Sequence, residues 1–133
     1  MTTERAYEQA VAHLEIIVEL LRRLHEALGA GDEAAEDAAR EEIENLPLEV
    51  LVRSRWHRPG EAMEPYEPPE EYQILLATGG PAVRIVGTLT RLGEPETAVL
   101  EYADWGTPWT EYPADAAEEQ ALLEFARQFY YGG

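Results

Sequence analysis

Cysteine and lysine are absent from this chain, and its one serine is Ser54. Without cysteine there is no disulfide and no thiolate-bound zinc, which fits a reducing compartment. The three histidines, His13, His25 and His57, are scattered, and no HExxH pair exists. No Glu-x-x-His set suited to a two-metal bundle occurs either. Gly79-Gly80-Pro81 is too short for a phosphate-binding loop and reads as a turn. Ser54 has no nucleophile-elbow context. The expectation is a protein that is not an enzyme and has no cofactor or metal. No apolar run approaches the ~18 residues of a membrane span. Met1-Thr-Thr-Glu-Arg leads straight into an amphipathic pattern without a basic leader, so the expected location is cytoplasmic.

What the chain has in excess is negative charge. Asp and Glu number 27 against 10 arginines, a formal net charge of −17 over 133 residues. That field repels nucleic acid and anionic lipid and attracts basic surfaces. It argues against direct nucleic-acid or membrane binding and for a basic partner, such as a protein that itself binds nucleic acid. Hydrophobic residues at 45%, with three Trp and seven Tyr, separate the chain from disordered acidic tails. Salt adaptation would also give an acidic, lysine-poor chain, though with more Asp. A high-GC coding bias accounts for Arg over Lys but not for the surplus of acids.

One domain, 1–133, is expected at this length. Residues 4–28 carry Tyr7, Val11, Leu14, Val18, Leu21 and Leu28 in steps of four and three, with His25 in the remaining seam position. Ala10, Ile17, Leu20 and Leu24 widen that face. Thr2 or Thr3 is placed to cap this helix, Gly29-Ala-Gly31 to end it, and Asp32 to cap a second helix that stops near Asn45, before Leu46-Pro47. The period then changes to two. In 48–57, Val50, Val52, Ser54 and Trp56 share one face, and Arg53, Arg55 and His57 the other. A proline- and glutamate-rich loop, 59–71, precedes a hairpin of 72–78 and 82–90 and a further strand over 97–105. The last segment, 114–133, reads as a helix with Asp115 and Glu118 in capping-box spacing and Leu122, Phe125, Ala126 and Phe129 as its stripe. The predicted fold is α+β: a helical hairpin (1–46), a four-stranded antiparallel sheet (48–113) and a C-terminal helix (114–133), in the order ααββββα.

Three features are candidates for function. Glu33, Asp37, Glu41 and Glu44 fall on one face of the second helix, with neighbouring Cβ atoms roughly 5–6 Å apart, comparable to phosphates along a strand. The macrodipole favours Asp32, Glu33 and Glu36 in the first turn, whereas Glu41, Glu42 and Glu44 sit near the end it disfavours. Glu36–Arg40 and Arg40–Glu44 are spaced to relieve part of the repulsion. The plain alternative is a solvated helix face. The run 102-YADWGTPWTEY-112 offers Trp105 and Trp109 as binding anchors, or as large apolar bodies closing a small core, the expectation favoured here. The basic cluster 53-RSRWHR-58 is expected to neutralise neighbouring acids on the sheet rather than receive a partner.

The segments YQILLATGGPAVRIVG (72–87) and YADWGTPWTEYP (102–113) resemble parts of small proteins carried by phages and prophages of high-GC bacteria. The chain is also similar in kind to the small, acidic, cysteine-free anti-CRISPR and anti-restriction proteins. That resemblance implies an inhibitor that occupies the nucleic-acid channel of a host defence complex, and it carries over no site residues. The expected phosphate-mimicking, partner-binding residues, Glu33, Asp37, Glu41 and Glu44 with Trp105 and Trp109, are read from the sequence pattern itself. The other functional expectation is a small adaptor or dimerisation module, using the long helix seam and the aromatic loop, in which the acids serve solubility alone.

Overall fold

The computed structural model describes residues 3–54, 56, 58–60 and 67–132. Two helices come first, α1 (Glu4–Ala30) and α2 (Glu33–Asn45). Gly31 takes a left-handed φ of 66° and donates its amide to the last carbonyls of α1, allowing the chain to reverse at once. Asp32 then caps α2, its carboxylate accepting from the Ala35 amide at 3.1 Å. Thr3 occupies the N-cap of α1 but makes no side-chain capping bond, and Thr2 lies outside the described residues.

Five strands follow: β1 (Glu49–Arg53), β2 (Glu71–Ala77), β3 (Ala82–Thr88), β4 (Val99–Ala103) and β5 (Thr110–Glu111). They form an antiparallel meander in chain order, so β1 and β5 are its edges. The expected four strands become five because Thr110–Glu111 pairs with Glu101 and Tyr102. A strand of two residues is too short to display a period of two. The last element, α3 (Ala116–Ala126), has the full capping box of Asp115 and Glu118. It ends earlier than the predicted 114–133, at Arg127, so Phe129 and Tyr131 return along non-helical backbone.

Alternation places Tyr72, Ile74, Leu76, Val83, Ile85, Leu100 and Tyr102 on one sheet face, where α1, α2 and α3 bury them in one core with Ile17, Leu24, Ile43, Leu122 and Phe125. The core stripe of α1 runs through Ala6, Ala10, Leu14, Ile17, Leu21, Leu24 and Ala27. The heptad seam is thus not the buried centre: Tyr7, Val18 and Leu28 are exposed at 40%, 44% and 49%. The small residues Ala6, Ala10 and Ala27 set the helix down where it packs against β3, β4, α2 and α3 together, and that turns the seam aside. Gly87 allows a second close approach. A Cβ there would lie 2.0 Å from the Thr97 carbonyl and 2.8 Å from the Tyr72 ring. Among the described residues no helix is long and apolar enough to cross a membrane.

Candidate functional site

Helix α2 presents the acidic stripe in full. Ala39 and Ile43 are buried against the core, which fixes the helix on its other side, and Glu33, Asp37, Glu41 and Glu44 are all exposed. The arginines go elsewhere. Arg22 binds Glu19 with two nitrogens at 2.7 and 2.9 Å and Glu26 with a third at 2.7 Å. Its hydrogen bonds hold the Glu19 carboxyl below the usual carboxylate range. Arg23 crosses from α1 to bind Glu42, so this last-turn acid serves the helical hairpin. Arg40 was expected to be shared between Glu36 and Glu44. It reaches Glu36 at 3.5 Å and Gln128 at 3.1 Å and does not pair with Glu44, because α3's C-terminal end offers an amide oxygen on the other side. Among the described residues, none of the four stripe carboxylates makes a side-chain hydrogen bond or ion pair.

The two tryptophans do not close the core. Trp105 is 66% exposed and lies against Gly80, where a Cβ would approach the indole to 2.1 Å. Arg5 joins this corner, donating to the Gly80 carbonyl at 2.8 Å and lying 3.9 Å from Asp104. Trp109 is 37% exposed and stacks on the Arg84 guanidinium, 4.1 Å from ring centroid to charge. The tyrosines of the same run take the closing role instead. Tyr102 is buried, and Tyr7 packs edge-on to it and stacked on Tyr112, both at 5.7 Å. Among the described residues no hydrogen bond, ion pair or ring contact joins Trp105 or Trp109 to the acidic stripe of α2.

The feature sequence reasoning missed is the second sheet face. Opposite the helices it carries Leu51, Gln73, Val86 and Val99 in one cross-strand row and Glu49, Leu75, Arg84, Glu101 and Glu111 in the next. Arg84 is its hub, donating to Glu101 and to Gln73, each at 2.8 Å, beneath the Trp109 ring. Arg53 pairs with Glu71 across β1 and β2, which satisfies the expectation of internal neutralisation for this arginine. Arg55 and His57 lie outside the described residues, as do 61–66 of the proline-rich loop. The rows leave an open depression of about 470 Å³ lined by Leu51, Arg53, Gln73, Arg84, Val86 and Val99. The signal was present in Leu51, Arg84 and Glu101, which alternate with core residues, but only the register shows that they form one surface.

Among the described residues no cluster of three or more His, Asp or Glu side chains is placed to hold a metal ion. His25 hydrogen-bonds Glu124, tying α1 to α3. Comparison of the chain with protein-family models, curated proteins and solved structures finds no match.

Proposed function

We propose that the chain is a non-enzymatic inhibitor of the anti-CRISPR or anti-restriction kind, whose α2 carboxylates occupy a cationic groove that its target uses for nucleic-acid phosphates. The observation that carries this reading is the stripe of Glu33, Asp37, Glu41 and Glu44, unpaired among the described residues, on a capped and packed helix, while the nearby Arg22, Arg23 and Arg40 are committed to other side chains. A rigid array of acceptors binds Lys and Arg side chains without first ordering its own backbone. Inhibition is competitive with nucleic acid and weakens as salt rises, since attraction between two oppositely charged surfaces is screened. The experiment is binding to a purified restriction or CRISPR complex with and without duplex DNA. Mutual exclusion supports channel occupation, and simultaneous binding refutes it.

A second reading, an adaptor or dimerisation module, draws on the exposed Tyr7, Val18 and Leu28 seam and on Trp105. Reversing the charge of the four stripe residues separates the two. Inhibitor binding is abolished, whereas adaptor binding is unaffected.

A further inference from the structure

The two edges of the sheet are protected to different degrees. At one edge β5 is two residues long and bracketed by Pro108 and Pro113, both devices that stop a sheet from recruiting further strands. At the other, β1 spans five residues with no proline and no break in its register with β2. Among the described residues no strand pairs with its outer edge. Leu51 and Val52 are exposed at 45% and 46%, and Leu48 just before them at 61%. An edge of this length and apolarity is a template for strand addition.

The sequence of β1, Glu49-Val-Leu-Val-Arg53, also specifies which strand fits. It reads as its own complement when reversed about Leu51. Antiparallel pairing with a second copy sets Glu49 opposite the second copy's Arg53, twice by symmetry, Val50 opposite Val52 and Leu51 opposite itself. All three pairings keep each residue on its proper face. Parallel pairing would oppose Glu49 to Glu49 and Arg53 to Arg53, and a one-residue slip would send Val50 and Val52 to the wrong face. Arg53 already binds Glu71 but keeps 66% of its side chain exposed, so it can bridge both carboxylates.

We infer that two copies of this chain associate through β1, antiparallel about Leu51, joining their five-stranded sheets into one continuous sheet. This interface is distinct from the acidic stripe of α2 and does not depend on the inhibitor reading. The two are also opposite in salt dependence. Each copy carries −17, so the encounter is repulsive and association strengthens as ionic strength is raised toward about 0.15 M.

The test uses sedimentation of the full chain over a concentration series to about 1 mM. Wild type is expected to dimerise. Glu49→Arg and Arg53→Glu each place like charges opposite one another at both pairs, and each alone is expected to weaken the dimer about tenfold or more. An equimolar mixture of the two variants restores association, because every cross-strand pair in the mixed dimer is again of opposite sign. Circular dichroism checks that each variant is folded. Independently, in this cysteine-free chain, Leu51→Cys on the symmetry axis should oxidise to a covalent dimer about tenfold faster than Leu92→Cys, which lies on an 81% exposed turn residue. A wild-type chain that stays monomeric with Leu51→Cys linking no faster than Leu92→Cys overturns the proposal. So does a dimer indifferent to both charge variants.

Discussion

Replacing Glu41 and Glu44 with glutamine tests whether the acidic stripe is held at the expense of the fold. Glu41 follows Asp37 by four residues and precedes Glu44 by three, so the double change removes two like-charge neighbours worth about 0.2–0.5 kcal/mol each. Glu44 lies in the last turn of α2, where negative charge opposes the macrodipole at about 0.3–1 kcal/mol, and Glu41 lies just before that turn, where the effect has fallen off. No compensation is lost, because among the described residues neither has a side-chain partner and Arg40 is turned toward Glu36 and Gln128. The sum is a stabilisation of about 1 kcal/mol at low ionic strength, equivalent to about 3–5 °C in Tm for a chain of this size. The assay is paired thermal and urea denaturation of wild type and variant in dilute buffer and in about 1 M salt, where a Debye length of about 3 Å removes most of the difference. The same variant loses affinity for the cationic target. A variant that is no more stable than wild type in dilute buffer would refute the reasoning, since the acids would then impose no cost on the fold.

Three further outcomes follow from the packing and the titrating groups. Gly87→Ala forces a methyl against the Thr97 carbonyl, a backbone atom that cannot rotate away, and is expected to destabilise by about 1–3 kcal/mol in chemical denaturation. Arg84→Met leaves Glu101, largely covered, without its cation and frees the Trp109 ring. A loss of about 1–2 kcal/mol is expected, together with a change in tryptophan emission. Tyr72 and Tyr131 are held neutral well above the ordinary tyrosine value of 10.0, chiefly by burial, and their hydroxyls donate to the Thr97 and Ala126 carbonyls. A raised folded-state pKa means that the unfolded chain loses these protons first, so their contribution is complete below pH 10 and is lost as pH rises beyond it. Alkaline unfolding monitored by phenolate absorbance should therefore show these two tyrosines ionising together with loss of structure.

The local chemistry of the chain was legible without coordinates. Asp32 and Asp115 each stand immediately before a helix with a free amide three residues on, and both cap as their spacing implies. The change of period at Leu46-Pro47 and the turn at Gly79–Pro81 mark element boundaries because proline and glycine act through their own backbones. The stripe on α2 was equally readable, since a helix fixes which side chains share a face, whatever lies around it. The exposure of Trp105 and Trp109 was not, because an aromatic beside a core and one stacked on an arginine have the same local sequence. Gly80 and Arg84, their actual neighbours, are distant in the chain.

What the sequence alone determined is thus what short-range spacing governs: the Asp32 and Asp115 caps, the helical hairpin, the alternation of the strands and the grouping of four carboxylates. Tertiary structure decided which arginine met which acid, which way α1 turned its wide apolar face, and that one side of the sheet and one edge strand are left without a covering element among the described residues. The reason is that a single residue's partners across space depend on register and packing summed over the whole chain, and no local window of residues contains that sum.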